Sequence, residues 1–183
     1  MTTTHPLVVG MDIATHCGIA IGRTNAVPGV TTWDLSEGGK GRPRRLAELM
    51  SLCDSFFVDV KPDYLFYEAG MTLQVALSIG TSDDTFAFLR GAIGVVEACA
   101  VKAMVPYIEA IEVQEARRHL LGGGRIPKGE GKKLVLERCR MLRWPANNTD
   151  ESDACAIWSF GCGKANPRVA HLTTPLFLSL IHI

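Results

Sequence analysis

The chain has 183 residues, of which 47% are hydrophobic and 21% are charged. This length and composition favour one globular domain with a sizeable core. No apolar run approaches the length that crosses a bilayer, and the N-terminus lacks the basic region and apolar core of a signal peptide. We therefore expect a soluble protein of the cytoplasm with no membrane partner.

Positive charge is concentrated in two segments, although the formal net charge is zero. Residues 117–143 contain nine basic residues, opposed only by Glu130 and Glu137. The basic residues of the two clusters are Arg117, Arg118, Arg125, Lys128, Lys132, Lys133, Arg138, Arg140 and Arg143, and Lys40, Arg42, Arg44 and Arg45. Clustered cations can contact a phosphate backbone, and a neutral chain must then be acidic elsewhere. Either cluster alone is equally well explained as a solvated helix face.

The six cysteines indicate a reducing compartment. They include no Cys-x-x-Cys pair and have no histidine partners at zinc-ligand spacing, and most stand among apolar residues. We interpret them as reduced, buried thiols. The chain also lacks a Gly-x-Gly-x-x-Gly turn and a Walker loop, so no nucleotide cofactor is predicted.

Apolar runs separated by turn residues predict three consecutive strands at the start of the chain. The predicted strands are 7–13, 17–22 and 30–33. Their short connections indicate an antiparallel meander. Residues 36–41 are predicted to form a polar loop, and Pro43 to begin a helix that ends near residue 59.

Strands and helices alternate in the rest of the chain. The predicted elements are a strand at 64–68, a helix at 84–104, a strand at 106–111, and helices at 112–121, 130–143 and 149–162. Residues 71–80 give no clear pattern, and residues 122–129 are predicted to form a flexible basic loop. This order predicts an α/β layered domain over residues 1–170.

The last residues of the chain are interpreted separately from the domain. We expect residues 171–183 to be a truncated tail. Residues 178–183, Leu-Ser-Leu-Ile-His-Ile, resemble the translation of a transposon-end sequencing adapter. We therefore interpret these six residues as an artefact and expect the natural C-terminus to be missing. A genuine apolar tail is the alternative.

Four acidic residues form the candidate catalytic centre. Asp12 and Glu68 each end an apolar strand, where a carboxylate is costly unless it is paired or binds a metal. Asp150 and Asp153 lie three residues apart, and therefore on one face of a helix. If the four acids converge, their oxygens suit a pair of Mg²⁺ ions. Two ions about 3.5–4 Å apart can stabilise both the attacking and the leaving oxygen of a phosphodiester hydrolysis.

Each acid also has a structural interpretation. Asp12 can form a turn, Glu68 can pair with a basic residue, and Asp150 can interact with the helix dipole. For Glu151 the structural role is the preferred one, because Asn148-x-x-Glu151 resembles a capping box. The four acids at these positions are harder to explain together by structural roles alone.

The basic helix supplies the candidate phosphate contacts. Lys132 and Lys133 begin this helix, and either can hold the scissile phosphate or help to orient the attacking water. Simple solvated charge is the alternative for each. The predicted nucleic-acid-binding residues are Arg44, Arg117, Arg118, Arg125, Lys128, Lys132 and Lys133.

The order and spacing of these segments resemble the RuvC family of Holliday-junction resolvases, particularly its shorter phage-type members. Residues 10–20 look like the first hairpin of that family, and Tyr67-Glu68 looks like its strand-end glutamate. Residues 144–156 contain a match to its closing Asp-x-x-Asp-Ala-x-Ala element. The other matching segments are residues 89–106 and Lys132-x-x-Val135, and the resemblance covers roughly residues 7–164.

This resemblance implies a ribonuclease H-like fold, in which helices flank a central mixed five-stranded sheet with its first three strands antiparallel. It implies a homodimer that nicks two strands of a four-way DNA junction symmetrically, using Mg²⁺ or Mn²⁺. It assigns Asp12, Glu68, Asp150 and Asp153 as metal ligands and Lys132 as the lysine beside the phosphate. The source is then expected to be a phage or its bacterial host.

Two departures from the family pattern concern substrate preference. The turn after Asp12 is one residue shorter than in typical bacterial members, and Met71 stands where an aromatic residue could engage the junction. The main alternative is a nuclease of the same fold that acts on other branched DNA, an RNA–DNA hybrid or an RNA precursor. The others are an actin-like or small-molecule kinase, for which 183 residues are too few, and an inert DNA-binding protein, which is expected to lack one of the acids.

Overall fold

The sheet is built outward from its first strand, which lies in the middle. The computed structural model describes residues 5–36 and 41–168. The strands are β1 (Leu7–Asp12), β2 (His16–Arg23), β3 (Gly29–Asp34), β4 (Tyr64–Glu68) and β5 (Tyr107–Ile111). Strands β1, β2 and β3 form an antiparallel meander, while β4 and β5 run parallel to β1 on its other side. The strand order is therefore β3-β2-β1-β4-β5.

Helices cover both faces of this sheet. They are α1 (Arg42–Val60), α2 (Leu73–Ser78), α3 (Asp83–Lys102), α4 (Val113–Leu121), α5 (Gly131–Met141) and α6 (Thr149–Ala165). Helices α1 and α3 pack together on one face, and α4, α5 and α6 pack on the other. Within the described residues, no helix is both long enough and apolar enough to cross a membrane.

Strand β1 contributes to two separate cores. Its side chains alternate, so Val9 and Met11 join the core beneath α1 and α3, while Val8 joins the core beneath α6. A strand that is covered on both faces needs apolar residues at consecutive positions. This explains why β1 shows a continuous apolar run in the sequence instead of an alternating one.

Helix α6 lies unusually close to the sheet because glycines face it. A Cβ atom on Gly10 of β1 would stand 2.5 Å from the backbone nitrogen of Trp158, and a Cβ on Gly18 of β2 would overlap the backbone carbonyl of Asp150. The indole N–H of Trp158 donates a 3.2 Å hydrogen bond to the carbonyl of Gly22. These contacts fix the height and rotation of α6, and with them the position of its acidic N-terminal turn.

The fold agrees with the sequence predictions in its main features. The five-stranded mixed sheet with three antiparallel strands is confirmed, as are the six free, buried cysteines. The segment without a clear pattern contains the short helix α2. The predicted tail at 171–183, and most of the predicted loop at 36–41, lie outside the described residues.

The packing of α6 yields a first prediction. Gly18→Ala should destabilise the protein by about 1–3 kcal/mol, because the added methyl overlaps a backbone that cannot move without shifting α6. Urea unfolding measures this change in the free energy of unfolding.

Gly94→Ala is the matched control for this substitution. A Cβ at Gly94, inside α3, meets nothing within 4 Å. The alanine should therefore stabilise the helix by about 0.5–1 kcal/mol. Equal destabilisation by both substitutions would contradict the proposed contact of α6 with β2.

Candidate active site

Two of the predicted acids meet at one edge of the sheet. Strands β1 and β4 are parallel neighbours with Met11 opposite Tyr67, so the next residues, Asp12 and Glu68, both end at the same edge. Asp12 is only 4% exposed. The carboxyl groups of Asp12 and Glu68 are close enough to interact, and Glu68 raises the pKa of Asp12. The structure thus brings together two residues that are 56 positions apart in the chain.

The first turns of α6 bring the other two acids to this edge. Asp153 is 1% exposed. Lys132, at the start of α5, places its Nζ 3.5 Å from Oδ1 of Asp150 and 3.6 Å from Oδ2 of Asp153. A cavity of about 410 Å³ is bordered by Asp12, Glu68, Asp153 and Lys132, together with the hydrophobic side chains of the neighbouring loop. Asp150 does not line this cavity, but its ion pair with Lys132 connects it to the residues that do.

Arg117 completes the charged cluster and has a different place from the one expected. It is a predicted DNA contact, but the structure buries it and turns it toward a carboxylate. Its Nε donates to Oδ1 of Asp153 at 2.8 Å, and its Nη2 donates to Oδ2 at 2.6 Å. This is a bidentate ion pair, the strongest form of charged hydrogen bonding in proteins.

The position of Arg117 follows from the periodicity of α4. Ala116 and Leu120 are its buried apolar residues, and Arg117 is buried beside them on the side that packs against α6. Arg118 falls on the exposed side. The signal was therefore present in the sequence, because a basic residue on the apolar stripe of a helix needs a buried partner.

Burial and repulsion control the protonation of Asp12. Burial, the hydrogen bond to Glu68 and the negative charges of Glu68 and Asp153 raise the pKa of Asp12 to about 9, while Lys132 acts weakly in the opposite direction. In the metal-free protein Asp12 therefore holds a proton at neutral pH. A protonated Asp12 does not repel the neighbouring carboxyl group of Glu68.

The two cations of the cluster remain charged despite their burial. Burial disfavours the charge of Arg117, but its hydrogen bonds and attraction to Asp153, together with Glu68 and Asp12, raise its pKa overall. Burial likewise opposes the charge of Lys132, and the charges of Asp153, Asp12 and Asp150 again raise its pKa. The site therefore consists of acids held together by permanent cations.

The donor set suits a hard divalent cation at one end of the cluster. Asp12 and Glu68 offer carboxylate oxygens of the kind that Mg²⁺ and Mn²⁺ prefer, and a bound ion would replace the proton on Asp12. Among the described residues, however, no group of three or more His, Cys, Asp or Glu side chains is arranged to hold a metal ion. The two acids of α6 are instead paired with cations: Asp153 with Arg117, and both Asp150 and Asp153 with Lys132.

The remaining predicted cations divide between two surfaces. Arg125, Lys128 and Lys133 are exposed around the glycine-rich loop and the start of α5. A second cavity of about 450 Å³ is lined by Lys128 and by Arg117 and Lys132, and these last two also border the acidic cavity. The exposed Arg44 lies on α1, which covers the other face of the sheet, so the structure does not bring it to this site.

Asn148 caps α6 as predicted, but Glu151 accepts its backbone hydrogen bond from a different residue than in a capping box. The side chain of Asn148 accepts hydrogen bonds from the backbone N–H groups of Asp150 and Glu151. In a capping box, Glu151 would accept from the N–H of Asn148, but it accepts from that of Asn147 at 2.7 Å. The carboxylate also accepts a 3.3 Å hydrogen bond from Thr32, which draws it toward β3.

The segment after Glu68 was not assigned from the sequence, and it forms one wall of the site. Met71, Thr72 and Val75 border the acidic cavity. Leu73 and Leu77 of α2 are 55% and 65% exposed. Helix α2 has only six residues. This is too few for a helical period of apolar residues to be recognised in the sequence.

Solved structures of two Holliday-junction resolvases share this fold. RuvC of T. thermophilus, in complex with a Holliday junction substrate, matches with a TM-score of 0.67 and 19% identity, covering 93% of this chain and 98% of that one. A further Thermus thermophilus RuvC structure matches with a TM-score of 0.62 and 17% identity, over 92% and 98%. The yeast mitochondrial Holliday junction resolvase Ydc2 matches with a TM-score of 0.59 and 13% identity, over 92% and 84%.

These likenesses show a shared fold. The ribonuclease H-like architecture and the RuvC-type resemblance predicted from the sequence are confirmed at that level. No protein-family model and no curated protein matches the sequence. The phage-like character stays a prediction.

The protonation of Asp12 yields a second prediction. Folding raises its pKa from about 4 to about 9, so the native state holds a proton that the unfolded state has lost. Stability then falls as pH rises through this window. Asp12→Asn removes the effect while keeping a hydrogen-bond donor toward Glu68. We expect the variant to be more stable than the wild type at pH 8 by about 1 kcal/mol or more, since one pKa unit corresponds to about 1.4 kcal/mol.

Urea unfolding in a metal chelator at pH 5 and pH 8 measures this difference. The gap between the two proteins should widen with pH. Asp59→Asn is the control, because Asp59 is exposed on α1. A variant at Asp12 that is less stable at pH 8 would contradict the described electrostatics.

Proposed function

We propose that the chain is a structure-selective endonuclease that resolves four-way DNA junctions by metal-dependent phosphodiester hydrolysis. The observation that carries this proposal is that Asp12, Glu68 and Asp153 border one cavity at the sheet edge, with Asp150 next to them beside Lys132. A cluster of four acids beside a cationic surface, on the fold of two known resolvases, suits the cleavage of a polyanionic backbone. The predicted cofactor is a pair of Mg²⁺ ions, for which Mn²⁺ can substitute.

The strand-end acids are the proposed metal ligands. When bound, the ion supplies positive charge that polarises the phosphate and lowers the pKa of a bound water. Asp12 and Glu68 hold their oxygens on adjacent parallel strands, so their separation is set by the sheet and not by flexible loops. Asp153, fixed by Arg117, and Asp150, beside Lys132, add negative charge from α6.

Lys132 is the proposed contact to the scissile phosphate. Its ammonium group lies between the acidic cavity and the neighbouring cationic cavity, and its side chain is half exposed. A phosphate oxygen bound here would be attracted by the ammonium group of Lys132, which offsets its repulsion from the nearby carboxylates. A lysine at this point can also stabilise the negative charge that develops on the phosphate.

A basic path leads away from the acids along the glycine-rich loop. Arg125 and Lys128 are exposed on this loop, and Lys133 is exposed at the start of α5. Arg118 is exposed on α4. Cations spaced in this way suit a phosphate backbone that bends away from the cleavage point, as at a branch.

A homodimer is the proposed active species. A four-way junction has approximate two-fold symmetry, and two symmetric nicks need two active sites related by the same symmetry. Helix α3, which is rich in alanine and glycine, is the candidate interface. We expect this dimer to act in the cytoplasm of a bacterium or a phage-infected host, where branched DNA forms.

A junction-cleavage assay tests the proposal. The protein, incubated with Mg²⁺, should place paired symmetric nicks in a synthetic four-way junction and leave a linear duplex of matched sequence intact. Asp12→Asn should abolish cleavage but retain junction binding, because the substitution removes a proposed metal ligand and not a phosphate contact. Gel electrophoresis of end-labelled strands measures both the nicks and the binding.

The pattern of cleavage separates the possible substrates. Equal cutting of the junction and the duplex, or cutting of an RNA-containing strand alone, would overturn the junction-specific proposal. Loss of binding together with cutting in Asp12→Asn would contradict the role assigned to that residue.

The two lysines at the start of α5 give a fourth prediction. Lys132→Gln should lower the rate of cleavage by about 10²–10³-fold, because Lys132 lies beside the carboxylates. Lys133→Gln should leave the rate at saturation nearly unchanged. It should reduce the salt dependence of binding by about one unit of slope, as expected for one lost phosphate contact.

Single-turnover rates and binding constants at several salt concentrations measure the two effects. Reversing the charge of both lysines should weaken binding further and flatten its salt dependence. An unchanged rate in Lys132→Gln would remove this residue from the proposed mechanism.

A further inference from the structure

We infer that Arg117 and Lys132 stand in place of a second metal ion, so that the protein without DNA binds one divalent ion, at Asp12 and Glu68. This inference rests on the metal site of the proposed function. It departs from the pair of ions predicted from the four acids alone. It concerns how many ions the site takes, which is separate from what the site cleaves.

The first support is the occupation of Asp153. Both of its carboxylate oxygens accept hydrogen bonds from the fork of Arg117, at 2.8 and 2.6 Å. The pair is nearly enclosed, since Asp153 is 1% and Arg117 8% exposed. An arginine in a protein keeps its charge, so this partner is not lost by deprotonation. An ion that binds Asp153 must therefore either displace the fixed positive charge of Arg117 or lie close to it in a buried site.

The second support is the position of Lys132. Its Nζ lies 3.5 Å from Asp150 and 3.6 Å from Asp153, between the two acids of α6. The acids that would complete a second metal site thus already share a cation. An ion between them would meet repulsion from both Lys132 and Arg117 at short range.

The net charge of the cluster also favours one bound ion. Once an ion has displaced the proton of Asp12, four carboxylates and two cations leave two negative charges, apart from the exposed Glu112 at the rim of the cavity. One divalent ion neutralises this excess, whereas two ions would leave the cluster positive. A positive excess in a partly buried cavity is as costly as a negative one.

The third support is that, among the described residues, no lysine or arginine forms an ion pair with Asp12 or Glu68, whereas Asp150 and Asp153 both have one. Lys132 and Arg117 act on Asp12 only at longer range. Asp12 and Glu68 are also the acids fixed by adjacent parallel strands. An ion at this pair gains two carboxylate ligands and removes the contact between like groups, so this is where the single ion should bind.

Arg117 is therefore the residue that sets the number of ions. Arg117→Gln frees both oxygens of Asp153 and removes the nearest positive charge, so a second ion should bind there. Arg117→Lys keeps the charge but cannot form the fork, and it should admit a second ion about tenfold more weakly than Arg117→Gln does. Arg118→Gln is the matched control, because it removes an equal charge one residue away, on the exposed side of α4.

The test is a titration of the full chain with Mn²⁺ in the absence of DNA, followed by electron paramagnetic resonance. The signal of free Mn²⁺ disappears on binding, which gives the number of bound ions without any measurement of activity. We expect one ion for the wild type and for Arg118→Gln, and two for Arg117→Gln. Asp12→Asn should lose the single ion, which locates it at the strand-end acids.

Thermal melting of each variant checks that it is folded at the temperature of the titration. If Arg117→Gln does not fold, the count for Arg117→Lys and for the wild type still decides the question. Two ions of similar affinity on the wild type, no ion at millimolar Mn²⁺, or one ion on both folded Arg117 variants would each overturn the inference.

The same experiment separates this inference from the proposed function. One bound ion with no cleavage of any junction would count against the function and leave the ion count intact. Two bound ions together with normal junction cleavage would overturn the ion count and leave the function intact.

Discussion

The close contact between α6 and the two central strands is the constraint on which the site depends. Gly10 and Gly18 have no side chain that could hold the helix away, so its backbone lies directly on β1 and β2. This approach places Asp153 under the sheet edge where Asp12 ends β1. Side chains on a helix held a few ångströms farther out would reach solvent and would not share one cavity with the strand-end acids.

Burial at this edge explains the charges that surround it. A buried carboxylate is tolerated only if it is protonated, paired or bound to a cation, and the protein uses more than one of these solutions. Asp12 is protonated, while Asp153 is held by Arg117. The internal cations therefore lower the cost of burying the acids.

The sequence was sufficient for the parts of the fold that depend on local pattern. Apolar runs ending in acids located β1 and β4, and the spacing of Asp150 and Asp153 located one face of α6. Arg117 was predicted, like its neighbours, to contact DNA, but the structure buries it against Asp153. The sequence count missed this because a count of charges does not show which side of a helix each residue occupies. The short helix α2 was missed since six residues carry too little periodicity, and its role in lining the cavity depends on contacts made only in three dimensions.

Two requirements of the site oppose each other, and this opposition accounts for its composition. Negative charge is needed to bind a divalent ion, but each added carboxylate raises the cost of folding the metal-free chain. Each internal cation lowers that cost and also lowers the affinity for metal. Two cations, Arg117 and Lys132, against four acids leave enough negative charge to attract one ion. A second ion would need additional negative charge from outside the protein. The phosphate of a bound DNA strand can supply it.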